Sequence, residues 1–389
     1  MKSDWVIKKI SDISRVNENT YSPKENWPFV DYLDTGNITE NVINSIQRIN
    51  PATEKLPSRA RRKVMQNSII YSTVRPNQRH FGIMKDTSDY LLVSTGFAVI
   101  DVNTLLADAD FLYFYLSQPD VVEHLHSIAE QSVSAYPSIK VSDIEDLEIQ
   151  LPPLPIQRNI SAVLRALDEK IALNRRINDN LVQMAQAIFL NYYSRSCVAI
   201  PFTSIIDVLG GGTPKTTNPI FWNGDIPFFT PKDVGNPYTL HTEKYISGAG
   251  LEHCNSRLYP INTVFVTARG TVGKVSLAGF PMAMNQSCYA LVGKGVESIL
   301  VYFYALQTVQ NLRHKASGAV FDAIVTRDFE SESIQQLTPE DSASFCETAK
   351  PIFKAIHNNS IENLRLVSLR DTLLPRLMSG ELDVSGLDL

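Results

Sequence analysis

Cysteine is scarce in this chain of 389 residues, and its placement excludes two chemistries. The four residues, Cys197, Cys254, Cys288 and Cys346, make no C-x-x-C pair and stand near no paired histidines. Neither a zinc site nor a disulfide framework is indicated, and a reducing compartment, the cytoplasm, is expected. The seven histidines fall at no metal or triad spacing. No apolar run approaches the ~18–20 residues of a membrane span, and the opening MKSDWVIKKISDIS lacks the apolar centre of a signal peptide. A phosphate-cradling GxxxxGK(S/T) string is absent. Pro119-Asp120 with Asp168-Glu169-Lys170 spells a nuclease pattern, but its second half lies in a long helical stretch. Carboxylates there do not converge at a strand pair to hold Mg²⁺. Asp207 to Thr213 resembles an S-adenosylmethionine turn with its Asp one residue out of place, and Asn218-Pro219-Ile220-Phe221 lacks the second proline of the amino-methylating tetrad. No catalytic residue and no metal ligand is assigned. The chain reads as one that binds.

What it does contain is itself, twice. Ser132 to Phe189 lies over Ser317 to Leu374 without a gap, at a constant offset of 185. Asn174 meets Asn359 and Asn178 meets Asn363. Upstream the offset changes in small steps, as loop insertions make it: Arg62 pairs with Arg257, Arg75 with Arg269, Ala98 with Ala290, and Tyr113-Phe114-Tyr115 with Tyr302-Phe303-Tyr304. The period is several-fold longer than a solenoid unit. It describes one domain-sized module plus one long helix, made twice.

Four segments follow. Residues 1–150 and 197–337 are mixed, with short β-branched and aromatic runs punctuated by Gly, Pro and Asn. Strands are expected at Ser68–Ser72, Leu91–Val93, Phe97–Ile100, Thr263–Val266 and Cys288–Val292, and a helix at Asp110–Ser127. Residues 151–196 open on a proline run, Leu151 to Pro155, that reads as a stiff extended boundary, and continue as a helix. Its seam falls at Ile160, Leu164, Leu167 and Ile171, then Ile177, Leu181, Met184 and Ile188. Residues 338–389 hold the second helix, opened by Thr338-Pro339-Glu340-Asp341 and closed near Gly380, with Phe345, Ile352, Ile356, Leu366, Leu373 and Leu377 as its stripe. Kinks are expected at Pro351 and Pro375. Asn174, Asn178, Asn359 and Asn363 interrupt the two seams at equivalent places. Polar seam residues fix register, so the helices are expected to pair antiparallel about a local twofold.

Net charge is −5, yet Lys55 to Lys85 carries eight basic residues and no acid. Phosphate binding depends on local positive density rather than on the total.

Several strings carry a resemblance. Leu209-Gly210-Gly211-Gly212-Thr213-Pro214-Lys215-Thr216 is followed by Phe221-Trp222-Asn223-Gly224-Asp225-Ile226-Pro227-Phe228. Thr267-Ala268-Arg269-Gly270-Thr271-Val272-Gly273-Lys274, Asn285-Gln286, the run Leu151 to Ile160 and the tail Leu374 to Leu382 complete the set. With them the chain, over essentially its whole length, resembles the specificity subunit of type I restriction–modification enzymes. The first module departs from the pattern: it lacks the Gly-Gly-Thr-Pro opening and has Arg75-Pro76-Asn77-Gln78-Arg79-His80 in the middle position.

The resemblance implies an α+β chain: two similar target-recognition domains separated by two long helices in an antiparallel coiled coil with an internal pseudo-twofold. Each domain would read one half of a split, asymmetric target in double-stranded DNA. The helices would set the spacing and dock two modification (methyltransferase) subunits, with two restriction (motor–nuclease) subunits added. This chain would bind no cofactor; S-adenosylmethionine, ATP and Mg²⁺ would belong to the partners.

Base edges are matched by Arg, Asn, Gln, Ser and Thr, and phosphates by Lys, Arg and backbone N–H groups. In the first module Arg75, Asn77, Gln78, Arg79 and His80 are candidates for bases, and Arg59, Arg61, Arg62 and Lys63 for phosphates. In the second, Arg269, Thr271 and Lys274 occupy the equivalent loop; the resemblance implies that Thr213, Lys215, Thr216 and Thr217 form a polar turn near it, and Lys232 is a candidate phosphate contact. Trp222, Tyr113 and Tyr302 are assigned to the scaffold. Two rival readings stay open: a fused or stand-alone DNA-modifying enzyme, and an adaptor that binds only protein.

Overall fold

Strands that are buried on both faces read as unbroken apolar runs, and such strands form the centre of both modules. The computed structural model describes residues 4–132, 136–315 and 323–387. The start of the ungapped repeat (133–135 and 316–322) and the last two residues lie outside the described residues. The chain divides into two units, Met1–Glu169 with Leu366–Leu389, and Lys170–Arg365.

In the first unit one sheet runs, in spatial order, Ser14–Val16, Phe97–Val102, Ile69–Ser72 and Phe81–Ile83. All its neighbours are antiparallel, with Phe97 opposite Ser72. A second sheet orders Gln47–Ile49, Val30–Leu33, Leu91–Ser94 and Ala60–Lys63, its middle pair parallel. The second unit repeats the plan. Ile206–Gly210, Cys288–Gly293, Val264–Thr267 and Val275–Ala278 make the equivalent antiparallel ladder, extended by Tyr238–Thr239. Lys244–Ile246, Trp222–Phe229 and Ala283–Met284 form the smaller sheet, again with one parallel pair.

The expected helix at 110–127 is two helices, Ala109–Ser117 and Pro119–Glu130. Gln118 between them is extended (φ −58°, ψ 138°), because the residue before a proline is forced out of the helical region. Its counterpart in the second unit, Ser298–Lys315, is unbroken.

The long helices are Leu154–Tyr193 and Pro339–Met378, 40 residues each, or about 60 Å at the helical rise. The proline run therefore ends inside the first helix: Pro155 sits in the opening turn, where its missing N–H would be unpaired anyway. The Thr338 hydroxyl accepts from Asp341 N at 3.1 Å and caps the second helix. Gly380, at φ +68°, ends it, with Glu381 N donating to Arg376 O at 2.9 Å. The expected breaks at Pro351 and Pro375 are absent: the second helix runs through both. Both prolines are exposed, as are Glu347 and Asp371, the residues four earlier whose carbonyls a proline leaves without the usual helical donor.

The seam also differs from its expected course. Ile160, Leu164 and Ile171 are buried, but Ile177 and Met184 are 38% and 46% exposed. The buried line keeps the two expected polar seam residues, Asn174 and Asn178, and then passes through Ala185 and Phe189, with Leu167, Leu181 and Ile188 half-buried beside it. On the second helix Phe345, Ile352 and Ile356 are buried, and Leu366 and Leu373 half-buried.

The asparagines face one another within the second unit. Asn178 Nδ2 donates to Ile356 O at 3.3 Å, and Asn363 Nδ2 to Ile171 O at 3.3 Å. Asn174 Nδ2 donates to Asn363 Oδ1 at 3.0 Å, and Asn359 Nδ2 to Asn178 Oδ1 at 2.9 Å. The 185-residue offset carries one member of each pair onto the other, so the helices are antiparallel about a local twofold. Glu362 accepts from Asn174 at 2.6 Å and pairs with Lys170 at 3.2 Å, and these hold its carboxyl below the usual range.

Within the first unit the recognition-type module is pinned to its helix by charge. Asp110, nearly buried, receives Lys85 at 2.7 Å and Arg165 of the long helix at 3.2 Å. In the second unit Lys350, the repeat partner of Arg165, pairs with Glu297 at 2.8 Å. That pair is half-exposed on both sides and so contributes little. Replacing Asp110 by Ala should lower the stability of the first unit by about 1–3 kcal/mol, since charged hydrogen bonds are lost. Thermal melting of the variant measures this, and Glu297→Ala serves as the near-neutral comparison.

Candidate nucleic-acid interface

The eight basic residues between Lys55 and Lys85 have no acid among them in sequence, but three acquire one in space. Lys63 pairs with Glu25 and stands 5.3 Å over the Trp27 ring. Arg79 pairs with Glu40, and Lys85 with Asp110. The Ala60–Lys63 strand alternates faces, so Arg62 points opposite to Arg61; its guanidinium donates to Asn17 O at 3.5 Å. Arg59 is exposed and Arg61 half-exposed, and neither has a carboxylate partner among the described residues.

The loop between Ile69–Ser72 and Phe81–Ile83 is the tip of an antiparallel hairpin. Pro76–Gln78 form a tight turn bracketed by Arg75 and Arg79, both left-handed (φ 48° and 56°). Arg75, Asn77 and Gln78 project into solvent, with the Arg75 guanidinium 5.3 Å from the Tyr136 ring. The other two candidates are not free. Arg79 donates to Ser117 O at 2.9 Å besides its Glu40 pair, and His80 Nδ1 lies 2.6 Å from Ile38 O. Arg59 O accepts from Thr95 N at 2.9 Å, and Gly96 O receives Thr73 N at 2.8 Å. One turn, Thr95-Gly96, thus joins the phosphate candidates to the reading loop.

The second module repeats this arrangement. Val264–Thr267 and Val275–Ala278 form the hairpin, and its tip carries Arg269, Thr271 and Lys274, all exposed. Gly270 and Gly273 take φ +78° and +72°, a conformation that side chains resist, so the tip can fold tightly. Thr271 Oγ1 donates to Pro231 O at 2.9 Å, which sets Lys232 beside the tip. Lys232 is largely exposed and lies 3.7 Å from Glu243. The Asn285–Ser287 turn takes the place of Thr95-Gly96: Ser287 O accepts from Ala268 N at 2.8 Å, and Thr213 Oγ1 bonds the Gln286 side chain. Lys215, Thr216 and Thr217 follow, exposed. Gly211 lies against the Asn285 backbone, where a Cβ would meet its carbonyl oxygen at 2.1 Å, so the turn requires glycine there.

Tyr113 and Tyr302 are buried, and burial pushes both phenols upward. Trp222 is half-exposed; its indole donates to Lys215 O at 3.2 Å, with the Lys244 ammonium 5.8 Å from its ring. Sequence reasoning missed Lys244, Glu40 and Arg313, whose Nη2 donates to Val272 O and Gly273 O at 3.0 and 2.8 Å. Only the folded chain brings these residues to the loops. No cluster of three metal-ligating side chains occurs among the described residues, and none of their helices is long and apolar enough to cross a membrane.

The model of the type I restriction modification DNA specificity domain matches residues 2–183 and 201–336. The HindI specificity subunit of Haemophilus influenzae is 24% identical over 462 aligned positions, covering 98% of this chain and 100% of that one. The MjaIX specificity subunit of Methanocaldococcus jannaschii is 28% identical over 163 positions, covering 40% of this chain and 38% of its own. The crystal structure of a type I restriction–modification S subunit from M. genitalium superposes with a TM-score of 0.60 at 13% identity, covering 96% of each chain. With the family model matched over both modules and most of the first long helix, the chain belongs to the type I restriction–modification DNA specificity family, as its non-catalytic, DNA-recognising subunit.

Proposed function

We propose that the chain reads a split, asymmetric target in double-stranded DNA, one module to each half-site, with the helix pair as spacer. Residues 1–150 and 197–337 are the readers, and 151–196 and 338–389 the spacer and tail. The observation that carries this is the pair of equivalent hairpin tips. Arg75, Asn77 and Gln78 in one module, and Arg269, Thr271 and Lys274 in the other, stand exposed in the loops that join matching pairs of strands. Arg, Asn and Gln make bidentate contacts to base edges in the major groove, while Arg59, Arg61, Lys215 and Lys232 suit phosphates. Similar modules related by a twofold address opposite strands, and unlike tips select unlike half-sites.

In the full assembly two methyltransferase subunits dock on exposed helix faces and bring S-adenosylmethionine. Two motor–nuclease subunits bring ATP and Mg²⁺, and the complex works in the cytoplasm, where the DNA is. Expression with the methyltransferase partner, followed by methylome sequencing, tests the reading. Adenine methylation should appear at one motif of two unlike halves separated by unread bases. A continuous or palindromic motif, or methylation by this chain alone, would overturn it.

A further inference from the structure

We infer that Glu40 and Asn41 are positioning residues for the first module's reading loop, and that Arg79 acts through them rather than on a base. This rests on the reading of the first module as a half-site reader. Ile38–Thr39 and Val42–Ile43 pair as a short hairpin whose two-residue turn is Glu40-Asn41. Both turn residues are left-handed, at φ 44° and 65°. Such a turn favours Asn or Gly at both places, so Asn41 suits it and Glu40 does not. A long side chain held in that conformation points to a role beyond the turn.

The contacts show what that role is. The turn lies along the reading hairpin: Glu40 N donates to Arg79 O at 3.0 Å and Asn41 N to Phe81 O at 2.9 Å. Asn41 Oδ1 accepts from Ile83 N at 2.9 Å. Gly82 lies so close that a Cβ there would meet Ile38 and Asn41 at 2.7 and 2.8 Å. The Glu40 carboxylate then takes the Arg79 guanidinium, whose other arm reaches Ser117 O, the carbonyl end of a helix. Carbonyl ends carry partial negative charge, so Arg79 is held between two negative groups and over the Phe81 ring at 5.3 Å. Arg75, Asn77 and Gln78 are left as the groups that face outward.

The second module has no such hairpin beside its tip among the described residues. There Arg313 grips the loop carbonyls from the Ser298–Lys315 helix. Equivalent loops are therefore held by unrelated buttresses, which accounts for the first module's departure from the Arg-Gly-Thr-Val-Gly-Lys string.

The test is a double-mutant cycle on the chain complexed with its methyltransferase. Methylation is measured on targets with single base changes in each half-site, the first module's half being the one that Arg269→Ala leaves intact. Glu40→Asn removes the reach to Arg79 while giving the turn a favoured residue, so the melting temperature should hold or rise. Discrimination should fall about fivefold or more across several positions of the first half-site and stay unchanged in the second. Arg79→Ala should match it, and the double variant should lose no more than either. Additive losses, or erasure of a single base preference by Arg79→Ala alone, would make Arg79 a base reader and overturn the inference. A lowered melting temperature with equal loss in both half-sites would overturn it as well. A wild-type complex with no half-site preference would instead bring down the underlying reading.

Discussion

Arg269→Ala should abolish the choice of one base in one half-site while the other half-site is read as before. The expected loss of discrimination is about 1–3 kcal/mol, the range for a bidentate contact between arginine and guanine. Arg269 is suited to this by its position. It stands exposed at a hairpin tip, and no carboxylate pairs with it among the described residues. Its backbone is set by Gly270 and Gly273, and the loop behind it is tied by Arg313 and Thr271. The side chain's freedom and the loop's rigidity together make an effective reader, since little ordering of the backbone is left to be done on binding. Methylation of targets permuted at each position measures the effect. A uniform loss over unrelated sequences, with a shallower salt dependence, would identify a phosphate ligand instead.

The same reasoning explains why some candidates were legible in the sequence and others were not. Strands such as Ile69–Ser72 and Val264–Thr267 are buried throughout, so an apolar run announces them without any need for alternation. The helix ends were legible because capping is local: Thr338 serves Asp341 three residues on, and Gly380 closes the last turn. Charge pairing is not local. Lys63 finds Glu25 and Arg79 finds Glu40 across 38 and 39 residues, so a block with no acid in sequence is partly neutralised in the fold. The helix seam failed for a related reason. Large apolar residues at helical spacing draw the line toward Ile177 and Met184, which the fold leaves exposed. The buried line holds Asn174 and Asn178, whose amides are satisfied by the partner helix, and continues through the small Ala185 to Phe189. Pro351 and Pro375 misled because a proline's cost depends on whether the freed carbonyl reaches water, and exposure is not written in the local sequence.

Those buried asparagines lead to the second large effect. One heptad inserted after Ile171, with one inserted after Arg365 opposite it, should lengthen the preferred gap between half-sites by about three base pairs. Seven residues add about 10 Å of helix, and base pairs stack at about 3.4 Å. A heptad returns the seam nearly to its starting face, so the pairing on either side is preserved. The asparagine cluster makes the insertion a sharp test. Asn363 bonds Ile171 O, and Asn174 bonds Asn363 and Glu362. An insertion in one helix alone would slide these amides past their partners and leave buried polar groups unpaired, at about 1–3 kcal/mol each. The single insertion should therefore destabilise the helix pair and impair methylation at every spacing. The paired insertion should restore activity at the longer spacing, with both half-sites read unchanged. Methylome sequencing of the two variants separates these outcomes. An unaltered spacing in the paired variant would mean that the distance between half-sites is set by the methyltransferase or the DNA, and that the helices serve only to join the modules.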